Sequence, residues 1–188
     1  MKKQSMKLFV AIAMAGMFFT SCDKDDAVEG NDEEVITTMQ LTFVPQGGGT
    51  SVSYKFDDAD GPGGNNPVQD EIVLSADKVY NVTVQLLNKT ESPVADITEE
   101  VMEESEAHRF YYIPTAGSNI VVSGLDNDGN GVPLGVTGTW TTTGAATGKI
   151  QVTLRHYPAN PPNKAPADGV DSQKSGTDIE VEFNTKIQ

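Results

Sequence analysis

The chain is poor in the residues that most often betray a function. It has one cysteine, two histidines and one tryptophan in 188 residues. A single cysteine excludes an intrachain disulfide framework. Thirteen lysines and arginines face 27 acids, a formal charge of −14. No broad basic patch can be assembled from that balance, which argues against binding nucleic acid or anionic headgroups. The longest apolar run, "LFVAIAMAGMFF" from Leu8 to Phe19, holds 12 residues and is too short to span a bilayer. Enzyme motifs are missing as well: there is no nucleophile elbow and no His-Glu-x-x-His. "GGGT" at Gly47 to Thr50 lies between two strand-like segments with no helix after it, so it reads as a turn and not as a phosphate loop. A carboxylate pair for glycoside chemistry has no spacing to point to it. An enzyme is not expected.

What is present begins at the N-terminus. Lys2, Lys3 and Lys7 flank the apolar run, which ends in "FTSC". This is the pattern of a secretory signal over residues 1–21. Small residues followed by Cys22 resemble a bacterial lipobox, which implies a lipidated first residue of the mature protein. Behind it, "CDKDDA" resembles the surface-export signal of Bacteroidetes lipoproteins, with Lys24, Asp25 and Asp26 at the matching positions. The resemblance implies an outer-membrane lipoprotein facing outward, held by acyl chains. Residues 22–34 then read as a lipidated cysteine on a disordered acidic tether. Three basic residues precede Cys22 and all 27 acids follow it, so 10 basic residues remain and the charge beyond Cys22 is −17.

From Val35 to Gln188 the chain reads as one domain. Short β-branched or alternating segments recur: 35–45, 50–56, 71–76, 79–87, 108–114, 119–125, 133–143, 149–157 and 178–187. Gly, Pro, Asn and Asp clusters separate them. That pattern predicts an all-β fold, an antiparallel immunoglobulin-like sandwich of about 7–9 strands. Val82, Val84 and Leu86 share one face of a strand, as do Ile150, Val152 and Leu154, with His156 at the end of their row. Asp96 to Ala107 is the one helical stretch, an acidic connector that Asp96 can cap and that sets Ile97 and Val101 on one side. A weak repeat relates residues 52–61 to 122–131 and Val82-Thr83 to Val152-Thr153 at an offset of 70, with "FVP" at 43–45 and "YIP" at 112–114 one residue out of step.

Three constellations carry candidate chemistry. Asp126, Asp128 and Asn130 in "DNDGNG" match the front half of a calcium loop, although Thr137 stands where an EF-hand has its bidentate glutamate. The other reading is a hairpin loop that uses Asp, Asn and Gly for its turn. Asp57, Asp58 and Asp60 form a shorter relative of that loop. The second constellation is His108, which starts a strand, with His156, which ends one. If those strands are antiparallel neighbours, the imidazoles meet beside the acidic connector. Glu103, Glu104 or Glu106 would then complete a shell for zinc, copper or iron. Third, the same histidines could hold a haem, with Phe110, Tyr112 or Tyr157 against the ring. Against both stands the reading of two unrelated strand-end histidines. A separation below about 7 Å is what a shared metal requires. Trp140 reads as a core residue.

"ITEEVMEESEAHRFYYIP", "LDNDGNGVPLGVTGTW" and "IQVTLRHYP" together resemble a group of Bacteroidetes lipoproteins labelled "type 1 periplasmic binding fold superfamily". The resemblance runs from Val35 to Ile187. The label implies parallel strands with crossover helices, which this strand-rich pattern does not supply. Such lipoproteins resemble accessories of TonB-dependent transporters, which import metals, haem or glycans. The resulting expectation is a cell-surface lipoprotein that captures a cation, a transition metal first, and passes it to an outer-membrane uptake system. The alternatives are a calcium-stabilised structural or adhesive module and a haem-binding lipoprotein.

Overall fold

The computed structural model describes residues 34–61 and 63–188. The expectations for Cys22, Lys24, Asp25 and Asp26 therefore lie outside the described residues. In chain order the elements are β1 (Thr38–Pro45), β2 (Val52–Asp57), β3 (Val68–Gln69), β4 (Ile72–Leu74), β5 (Val79–Asn88) and β6 (Ala95–Asp96). They continue with α1 (Ile97–Glu103), β7 (His108–Pro114), β8 (Ile120–Ser123), β9 (Thr137–Thr142), β10 (Ala146–His156) and β11 (Gly176–Ile187). All the strand segments expected from the sequence are present. The short strands β3 and β6, of two residues each, had no signal of their own because each only pairs along the edge of a longer neighbour.

The strands form two sheets that pack as an all-β sandwich. One has the order β3-β2-β1-β5-β9-β8, with β6 also against β5; the other runs β4-β11-β10-β7. Every pairing is antiparallel except β4 with β11. Alternation decides which side of each sheet is dry. Val82, Val84 and Leu86 of β5 face Ile150, Val152 and Leu154 of β10 within one buried core, and removing this apolar surface from water is the main force holding the layers together. Phe43 organises the aromatic part, with edge-on contacts to Tyr80 at 6.0 Å and Trp140 at 5.1 Å between ring centroids. Trp140 is fully buried, as a core residue should be.

The offset of 70 in the sequence survives in only one pair of strands. Phe43 faces Val82 where β1 meets β5, and Tyr112 faces Val152 where β7 meets β10. Beyond that pair the halves diverge, because β2 stays beside β1 whereas β8 leaves β7 and joins β9 in the other sheet.

The helix is shorter than the stretch 96–107. Asp96 caps it as expected, its side chain accepting from the Thr98 amide at 3.0 Å, and Ile97 and Val101 are buried. After Glu103 the chain tightens into a turn, closed by the Ala107 amide donating to the Glu104 carbonyl at 2.8 Å. That turn ends the helix because the next residue, His108, must enter a sheet. A long connection, residues 158–175, folds back over the same end of the sandwich. Arg109 Nη1 donates to the carbonyls of Ala165 and Asp168 at 3.2 Å each, and Arg155 Nη2 donates to Ser172 O at 3.0 Å.

Candidate metal centre

His108 opens β7 and His156 closes β10, and the antiparallel register sets them directly opposite each other. Their ring centroids are 4.3 Å apart, well inside the limit for a shared ion. The carboxylates beside them were not expected. Asp178 arrives through a β-bulge: Leu154 faces Ile179 while Arg155 faces Thr177, which leaves Asp178 as the extra residue of β11. Plain alternation would send Asp178 outward with Glu180 and Glu182. The bulge re-aims it inward, and its side chain is 0 % exposed. Glu34 comes from the segment just ahead of β1, where the sequence suggested the last residue of a disordered tether. Its side chain is only 13 % exposed. One ligand atom from each of Glu34, His108, His156 and Asp178 lies within 4.8 Å of all the others.

The geometry around His108 is specific. Its Nδ1 lies 3.2 Å from the Glu104 carbonyl. A neutral ring donates there from Nδ1, so the lone pair of Nε2 points the other way. Along that direction stand Glu34 Oε1 at 3.3 Å and Asp178 Oδ2 at 3.7 Å. A lone pair aimed at two buried carboxylates is repulsive unless a proton or a metal ion lies between them. Among the described residues, His108 Nε2 and Glu34 Oε2 are buried with no hydrogen-bond partner.

The charges follow from the same arrangement. Burial pulls the His108 pKa down, but the Glu34 contact and the charges of Glu34 and Asp178 outweigh it, so the net shift is upward. His156 shifts the opposite way, lowered by burial and then by the charge on His108. Burial raises the Glu34 carboxyl, yet its contact with His108 leaves it below the ordinary range. Without metal, these opposite shifts favour a proton on His108 over one on His156. A divalent ion in its place would make the two carboxylates and two neutral imidazoles a neutral shell. Bonds of about 2.0–2.1 Å in tetrahedral geometry set ligand atoms roughly 3.3 Å apart, so the 3.3 and 3.7 Å separations need little contraction. The cluster can hold a metal ion. The backbone carbonyl behind His108 is the usual outer partner of a metal-ligating imidazole.

Several sequence expectations need correction. Glu103, Glu104 and Glu106 are exposed and stand outside the cluster. The contact that Glu104 makes with it is through its main-chain carbonyl. The calcium reading of Asp126, Asp128 and Asn130 fails for a different reason: the chain fills that loop with its own cation. Lys164 Nζ sits 2.8 Å from Asp128 Oδ2, and both side chains are 1 % exposed. The same ammonium donates to the carbonyls of Ser105 at 2.6 Å, His108 at 2.8 Å and Pro133 at 3.3 Å. Asp128 Oδ1 accepts from the Asn130 and Val132 amides, Asp126 Oδ1 accepts from the Thr137 amide, and Asn130 is exposed. In the shorter acidic loop, Asp57 pairs with Lys55 and Lys89, and Asp60 accepts from Asn65. The haem reading fails on space. Axial imidazoles stand on opposite faces of a macrocycle, and rings 4.3 Å apart admit none between them. Phe110 and Tyr157 are fully buried, and Tyr112 donates its hydroxyl to Gly135 O at 2.6 Å.

Glu34 and Asp178 left little trace in the sequence. The first closes an acidic run that reads as solvated, and the second depends on a bulge with no composition cue. Comparison with protein-family models, with curated proteins and with solved structures found no match for this chain.

Proposed function

We propose that this protein is a cell-surface lipoprotein that captures a transition-metal ion through Glu34, His108, His156 and Asp178 and serves an outer-membrane TonB-dependent uptake system. The observation that carries the metal reading is His108 Nε2, turned by the Glu104 carbonyl toward two buried carboxylates. Imidazole with carboxylate suits zinc, copper and iron and does not suit calcium or magnesium. A closed set of four N and O donors favours zinc, which accepts tetrahedral coordination at no electronic cost. The resemblance of Cys22 to a lipobox cysteine and of Lys24, Asp25 and Asp26 to a surface-export signal supports a site outside the cell, where such an ion would first be met. The burial of the cluster supports retention of the ion over fast exchange.

The test is calorimetric titration of zinc and copper into the wild type and the His108→Ala/His156→Ala variant. The expected result is a loss of affinity of at least tenfold, about 1.4 kcal/mol. Equal titrations would overturn the assignment. Release of the protein from membranes by Cys22→Ala tests the anchor, and co-purification with a TonB-dependent transporter tests the partnership.

A further inference from the structure

The geometry points to Glu34 as the ligand through which the metal enters and leaves, with the acidic side of α1 as its approach. This rests on the metal-binding reading above and adds a division of labour within the shell.

Three of the four ligands belong to one sheet. His108 and His156 are opposed across the β7–β10 ladder, and Asp178 sits on β11 beside β10. The backbones of the two histidines are held by the ladder, and Asp178 is fixed between the paired residues Thr177 and Ile179. Glu34 lies four residues ahead of β1 and in no strand. Among the described residues, the first backbone hydrogen bond tying its segment to the sandwich runs from the Thr37 amide to Leu87 O at 2.9 Å. The next residue, Val35, is 49 % exposed. The Glu34 side chain is also the partly exposed one, whereas those of His108 and Asp178 are sealed. Swinging it away uncovers the other ligands without disturbing either sheet.

The surroundings of Glu34 suit a cation on its way in. Glu104 meets the His108 ring through its main-chain carbonyl while its side chain is exposed, and Glu100, also exposed, lies one turn earlier on α1, its carbonyl accepting from the Glu104 amide at 2.9 Å. These exposed carboxylates beside the cluster attract an approaching cation. Their contribution is to the rate of arrival. The buried ligands hold the ion.

Stopped-flow release of zinc from the loaded full chain into excess chelator tests the assignment. Glu34→Gln should still bind zinc but release it at least about tenfold faster, whereas Asp178→Asn should lose most equilibrium binding. Hydrogen exchange supplies a second readout: zinc should slow amide exchange at residues 34–37 in the wild type and not in Glu34→Gln. Glu100→Gln/Glu104→Gln should slow association at low salt, with the difference vanishing at high salt. Release from Glu34→Gln at the wild-type rate, or equal protection in both proteins, would overturn the role of Glu34. Unchanged association in the double glutamine variant would overturn the approach. A wild type that binds no zinc sinks the metal reading itself, a result distinct from these.

Discussion

Two cation-seeking regions lie side by side at one end of the sandwich, and both use His108. Its main-chain carbonyl accepts from Lys164, which neutralises Asp128, while its ring faces Glu34 and Asp178. In the first region the chain supplies the cation. One ammonium meets one carboxylate and three carbonyls, and nothing remains for a metal to do. In the second, two carboxylates and two imidazoles converge. The better calcium motif in the sequence belongs to the satisfied region. An acidic motif therefore identifies a cation site only when the fold brings it no internal cation.

The comparison is broken most severely by removing Lys164. Lys164→Met leaves Asp128 buried and uncompensated, and should cost about 3 kcal/mol in chemical denaturation. Adding Asp128→Asn should recover part of that loss, because the orphaned charge is then gone. Next in size, saturating zinc should raise wild-type stability by about 2.7 kcal/mol at a free concentration 100 times its dissociation constant. The same zinc should leave the His108→Ala/His156→Ala variant unchanged in a thermal melt.

A smaller effect is the pH dependence of zinc binding. The raised pKa of His108 favours a proton in the metal-free protein where zinc would bind. That proton stabilises the metal-free fold fully below the ordinary histidine value of about 6.5, and the contribution fades as pH rises through the raised value. His156, with its lowered pKa, has the opposite sign and costs stability when it is protonated at lower pH. Zinc affinity should therefore rise with pH across the His108 transition, with proton release seen as buffer-dependent binding heats. The smallest effect is none at all. Calcium and a calcium chelator should leave the melting temperature unmoved, since Lys164 already occupies the acidic loop.

Much of the architecture could be read before any coordinates. Alternation in residues 79–87 and 149–157 placed Val82, Val84, Ile150 and Val152 inside, and the turn clusters separated the strands. Asp96 was legible as a cap because its side chain acts on an amide two residues away. The conjunction of His108 and His156 followed from a conditional argument about strand ends, and the register of β7 against β10 supplied the missing condition. The glutamates of the connector misled because closeness in sequence stood in for closeness in space. Helical geometry points Glu103 outward, while Glu34, 74 positions before His108, reaches the histidines.

By itself the sequence determined the all-β class, the strand segments, the capped acidic helix and the histidine pair as the chemistry worth watching. Those features rest on local forces: alternation, turn propensity and capping act over a few residues and can be read in order. Tertiary structure alone decided that Asp178 turns inward at a bulge, that Glu34 closes the cluster, and that Lys164 fills the loop that looked made for calcium. Each of these is a contact between distant segments, set by register and packing, and local composition carries no record of it.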